Sequence, residues 1–124
     1  MNQTLVIEPP YSLLMLEDVR GGTPPESLER SMFAATRSCL IVACQAAVDG
    51  QTTVEIITEV GDAKPLLHAR YETWLESPSL VLALRSAELA TYTTIPVDAS
   101  ETHVSIHSDS YENPSYIQIV LQSC

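Results

Sequence analysis

Alternation of apolar and polar residues with a period of two, broken every few residues by turn formers, constrains this chain more than any other feature. In His103-Val104-Ser105-Ile106-His107 it sets Val104 and Ile106 on one face and His103, Ser105 and His107 on the other. From Tyr116 to Gln122 it sends Ile117, Ile119 and Leu121 inward and Tyr116, Gln118 and Gln122 outward. The acidic, proline-containing stretch Ser108 to Pro114 joins these two strands into a long-loop hairpin. Leu67 to Leu75 alternates as well, with Leu67, Ala69, Tyr71, Thr73 and Leu75 opposed to His68, Arg70, Glu72 and Trp74. Sheets with one apolar face must bury it against another layer.

The remaining segments fit that architecture. Leu5-Val6-Ile7 and Leu13-Leu14-Met15-Leu16 flank Pro9-Pro10, which reads as two short strands or one broken edge strand. Cys39 to Cys44 is apolar on both faces and belongs in the middle of a sheet. Asp49-Gly50 signals a hairpin leading into the β-branched run Thr52 to Val60. Leu80 to Arg85 and Thr91 to Val97 are further β-prone pieces around the turn residues Ser77-Pro78-Ser79. One helix interrupts the pattern: Thr23 can cap, Pro24 suits a first helical position, Glu26 completes a capping box, and Leu28 and Met32 share a face, so the spacing predicts a short helix over 24–35. The expectation is a mainly β protein, an antiparallel β-sandwich of about 7–8 strands with that one helix. At 124 residues it forms a single domain, 1–124, whose size lets roughly 65% of the extended-chain surface leave water.

Charge narrows the partners. Sixteen Asp and Glu face six Lys and Arg, a net charge of −10, while 45% of the residues are hydrophobic, so the acid lies on the outside of a real core. Such a surface repels nucleic acid and anionic membranes and attracts basic proteins. The N-terminus has neither a basic region nor an apolar stretch of signal-peptide type, and no run approaches a membrane span, so a cytoplasmic location is expected. Cys39 and Cys44 on one strand would lie about 16 Å apart on opposite faces, beyond disulfide reach, and read as core thiols.

Catalytic chemistry is hard to find. His103 and His107 on a strand lie about 13 Å apart, which does not suit a shared metal ion, and no metal or other cofactor is expected. Glu17-Asp18, Glu26 with Glu29, and Glu72 with Glu76 read as solvated carboxylates, since spacing alone gives no acid–base pair. There is no nucleophile elbow, no glycine-rich phosphate loop and no calcium-loop spacing, so no catalytic residue is assigned and the chain does not read as an enzyme. Trp74, the sole tryptophan, shares its face with Arg70, Glu72 and Glu76. It is either an interface anchor or a cover over a sheet edge.

Several pieces, in the right order over about half the chain, carry a family resemblance. They are Tyr71-Glu72-Thr73-Trp74-Leu75-Glu76-Ser77-Pro78-Ser79-Leu80, Ile95-Pro96-Val97, His103-Val104-Ser105-Ile106-His107 and Tyr116-Ile117-Gln118-Ile119-Val120-Leu121. The chain thus resembles the competence protein J family of small bacterial β-sandwich proteins. That resemblance implies inhibition of a DNA-entry nuclease, or the related role of an immunity protein against a nuclease toxin, with carboxylates imitating phosphates. Partner-binding residues are then expected at Glu72, Trp74 and Glu76 and around the stretch from Asp98 to Glu112, at Asp98, Glu101, Asp109 and Glu112. Two other readings compete: an assembly module that self-associates through a sheet edge into a homodimer, and a small-ligand or enzymatic pocket between the sheets.

Overall fold

Pro9 and Pro10 carry the chain from one sheet to the other. The computed structural model describes residues 2–26, 33–58, 69–109 and 114–123. Strand β1 (Asn2–Ile7) lies in the first sheet and β2 (Leu13–Asp18) in the second, with a single 3-10 turn, Pro10–Ser12, between them. The two runs are separate strands and not one broken edge strand, because two successive prolines remove two ladder donors and let the chain turn a corner.

Ten strands form two five-stranded sheets among the described residues. The second sheet also holds β3 (Phe33–Ala35), β4 (Cys39–Ala43), β7 (Val81–Ser86) and β8 (Thr91–Pro96), in the order β3-β4-β2-β7-β8. The first is completed by β5 (Thr52–Ile57), β6 (Ala69–Glu76), β9 (Glu101–Ser108) and β10 (Tyr116–Ser123), in the order β1-β5-β10-β9-β6. Every pairing is antiparallel except β5 with β10, which is parallel. The β-sandwich expected from the alternation is therefore present, with more strands than the pattern revealed.

Leu14 and Leu16 of β2, Leu40 and Val42 of β4, and Leu82 and Leu84 of β7 meet Val54, Ile56, Val104, Ile106, Ile117 and Ile119 of the other sheet in one buried cluster. Each such side chain contributes about 1.5–3 kcal/mol on burial. A smaller cluster of Met15, Cys39 and Ile41 occupies the opposite face of the second sheet. Cys44 lies in the main core and Cys39 in the smaller cluster, so the two thiols are buried on opposite faces, as the strand geometry requires.

Two local signals are overridden. Within the expected helix over 24–35, Phe33–Ala35 is strand β3 and Pro24 to Glu26 have no regular structure, while 27–32 lie outside the described residues. Phe33 pairs with Val42, buries its ring and stacks on Tyr71 across the sheets at 5.4 Å. Thr23, the expected cap, donates its N–H to Ser38 Oγ (2.8 Å) and accepts from the Thr36 hydroxyl, which ties it to the β3–β4 turn. At Asp49-Gly50 the expected hairpin is a crossing between sheets: β4 and β5 never pair, and a 3-10 turn over Ala47–Asp49 followed by Gly50 at φ 129° makes the link.

Candidate protein-binding site

Strand β6 is one edge of the first sheet, and its register with β9 builds the site. Glu72 stands opposite Ser105, Trp74 opposite His103 and Glu76 opposite Glu101, all on the face turned away from the core. The alternation that buries Leu75 leaves Glu72, Trp74 and Glu76 exposed, as the sequence pattern requires. Trp74 is 46% exposed, and its ring meets His103 edge-on at 5.0 Å and 63°. Two carboxylates directly opposite each other cost about 0.2–1 kcal/mol relative to neutral residues, so Glu76 and Glu101 carry an unfavourable local charge density. Beside them a cleft of about 210 Å³ is lined by Arg37, Trp74, Leu75, Glu76 and Glu101.

The backbone beneath these side chains is pinned. Glu76 N–H donates to the Arg37 carbonyl (2.7 Å) and Ser77 N–H to the Ser100 carbonyl (2.7 Å). Buried Ser77 also donates its hydroxyl to the Ala99 carbonyl (2.8 Å), with the Thr102 hydroxyl 3.1 Å from it. These bonds hold the β8–β9 loop, which bears Asp98, against the end of β6. Asp98 borders a small cavity of about 60 Å³ with Thr58, Pro96, Val97, Thr102 and Leu121.

Asp109 is elsewhere. Strand β9 separates it from Glu101 by about 26 Å of extended chain, so the stretch from Asp98 to Glu112 does not form one end of the molecule. Its carboxylate closes the β9–β10 loop, accepting from Ser115 N–H (3.0 Å), Ser115 Oγ (2.7 Å) and Tyr116 N–H (3.2 Å). Glu112 lies outside the described residues. Of the seven expected partner-binding residues, Glu72, Trp74, Glu76 and Glu101 share one face, Asp98 is on the adjoining loop, and Asp109 is engaged in loop closure.

A second acidic group was not legible as such in the sequence. Glu17 and Asp18 are not solvated: they are 3% and 2% exposed. Glu17 Oε1 accepts from Arg85 Nη1 (2.8 Å) and Oε2 from Gly22 N–H (2.9 Å), while Arg85 Nη2 donates to the Val19 carbonyl (2.7 Å). Gly22 is needed there because a Cβ would lie 2.1 Å from the Ser38 carbonyl oxygen. Asp18 accepts from Ser79 N–H (2.9 Å), Ser79 Oγ (2.7 Å) and Arg20 N–H (3.0 Å). Burial alone would raise the Asp18 carboxyl, but these bonds and the Arg20 charge outweigh it and hold the group below its ordinary value. The available signal was position: both acids continue an apolar run that β2 buries on two faces, between β4 and β7. A cleft of about 480 Å³ opens beside this group, with Met15, Arg20 and Leu89 among its walls.

His103 and His107 face away from the core on β9, opposite Trp74 and Arg70. Among the described residues no group of three or more His, Cys, Asp or Glu is placed to hold a metal ion. Nor is any described helix long and apolar enough to cross a membrane.

Among solved structures the architecture has a counterpart. It superposes with a TM-score of 0.77, over 98% of this chain and 96% of the other, on the crystal structure of ComJ, inhibitor of the DNA degrading activity of NucA, from Bacillus subtilis. The fold resembles that of ComJ. Sequence identity is 7%, so the likeness is one of backbone. A second structure, described as crocagin biosynthetic gene J, superposes with a TM-score of 0.58 at 6% identity, over 98% of this chain and 94% of that one. No protein-family model matches the sequence, and no curated protein matches it. The resemblance read from Tyr71 to Leu80 and from the last two strands is thus borne out at the level of the fold.

Proposed function

We propose that this protein is a non-enzymatic, cytoplasmic inhibitor of the immunity type that neutralises a basic nuclease through the β6–β9 face. The observation that carries this reading is the placement of Glu76 directly opposite Glu101 beside a half-exposed tryptophan. Like charges directly opposite each other destabilise a strand pair, so contact with an opposite charge is what relieves these two carboxylates. A lysine or arginine of the partner fits between the carboxylates, where it would otherwise contact DNA phosphate, and its cationic head reaches the Trp74 face for a cation–π contact. The net charge of −10 steers a basic partner toward this surface and makes association fast and sensitive to salt. Likeness of fold to an inhibitor of DNA degradation supports the same reading.

The test is capture on the immobilised protein from extracts of the source organism at low salt. A basic DNA-degrading protein is expected to elute between about 0.2 and 0.5 M salt, and its activity should fall when the free protein is added. Trp74→Ala should weaken the complex by about 2 kcal/mol, mainly through faster dissociation. Glu76→Gln and Glu101→Gln should slow association while each stabilises the folded chain by about 0.2–1 kcal/mol. Undiminished inhibition by the triple variant would refute the assignment of this face.

A further inference from the structure

Among the described residues four strands end the two sheets, and three of them are guarded against pairing with another chain. Strand β3 has only three residues. Strand β8 is bulged against β7 between Leu84 and Arg85 and ends at Pro96. Strand β6 bears Glu72 and Glu76, and the Glu76 N–H is taken by the Arg37 carbonyl. Short length, bulges, proline and charge are the devices by which edges are kept from associating.

Strand β1 has none of them. Asn2–Ile7 is a six-residue strand with no charged residue, no glycine and no proline, and it pairs with β5 without a register shift. Thr4 and Val6 point away from the core and are exposed, Val6 by 57%, while Leu5 and Ile7 pack on the inner cluster. In a chain of net charge −10, an uncharged edge is where a second copy can approach closely.

We infer that β1 is a self-association edge, pairing antiparallel with β1 of a second copy so that two five-stranded sheets become one of ten strands. A twofold register setting Thr4 opposite Thr4 of the second copy keeps inner and outer faces aligned, with Gln3 opposite Leu5, and brings no two like charges together. A basic partner is a poorer occupant, because nothing on this strand would attract its charge. The inference goes beyond the inhibitor reading and is independent of it, since β1 and β6 are opposite edges of the sheet and the dimer leaves the acidic face open.

Interfaces built on one short strand pair fall below about 1,200 Å² and are weak, so sedimentation velocity on the full chain should span about 5 to about 500 µM. The mass is expected to rise toward twice the monomer, and to rise sooner as salt screens the repulsion between two acidic copies. This salt trend is opposite to that of the nuclease complex, so failure of one reading is distinguishable from failure of the other. Thr4→Lys/Val6→Lys should remain monomeric throughout, whereas Trp74→Ala should dimerise like the parent. Hydrogen exchange of the unaltered protein provides a check that no variant can confound: amides of Gln3 to Ile7 should gain protection with concentration, and those of β6 should not. A monomer at every concentration and salt, a dimer retained by the double lysine variant when it is folded, or unchanged protection of β1 would each overturn the inference.

Discussion

Replacing Arg85 with leucine tests whether the outer face of the second sheet is organised by a buried ion pair. The Arg85 and Glu17 side chains are 15% and 4% exposed, and the pair closes at 2.8 Å. Removing the guanidinium leaves the nearly buried carboxylate without its charged partner at the wall of the cleft and takes a 2.7 Å donor from the Val19 carbonyl. Breaking a buried pair from one side costs about 3–5 kcal/mol, and partial exposure of the arginine places this site near about 3 kcal/mol. Glu17→Leu deprives Gly22 N–H of its acceptor and should cost about 2–3 kcal/mol. The double variant removes both charges at once and should cost about 3–4 kcal/mol, so the cycle yields a coupling of about 2 kcal/mol. Arg85→Lys should fall between the parent and leucine, because a lysine keeps the charge and loses the fork that reaches both Glu17 and Val19. Urea unfolding followed by the fluorescence of the sole tryptophan, Trp74, with the slope of the transition compared between variants, gives each value. A loss below about 1 kcal/mol for Arg85→Leu, or strictly additive single variants, would refute the ion-pair account.

Asp18→Asn should destabilise the fold by about 1–3 kcal/mol, because an amide cannot accept from both Ser79 donors and Arg20 as the carboxylate does. Since the folded Asp18 carboxyl is held below its ordinary value, its stabilisation is complete above that value and is lost as pH falls through the folded pKa. Acid titration of unfolding should show this loss in the parent and its absence in the variant. Burial, followed by the neighbouring Glu17 carboxylate, pushes the Cys39 thiol up to about 12, and burial also raises Cys44. Alkylation of the native protein at neutral pH should therefore leave both unlabelled, and peptide mass spectrometry should find them modified only after unfolding.

How much of this was legible in the sequence depends on the range of the forces involved. Alternation from Tyr71 to Glu76 and along β9 assigned side chains to the faces they occupy, including the exposure of Glu72, Trp74 and Glu76, because the two faces of a strand are set by local backbone geometry. Gln118, by contrast, reads as outward on β10 but is 3% exposed, because β10 lies between β5 and β9. Composition required a core beneath an acidic exterior. Tertiary structure decided the rest. The capping signal at Thr23 is worth only about 1 kcal/mol, less than the burial and stacking that Phe33 gains by joining β4, so the strand prevails at that end. Glu17 and Asp18 look like solvated acid in one dimension and are buried because β2 lies between β4 and β7. The placement of Glu76 against Glu101, 25 residues along the chain, and the separation of Asp109 from both follow from strand register, which the turns and the shared core select together. Local pattern determined which way each residue of the acidic face points; only the pairing of β6 with β9 determined which of those residues meet.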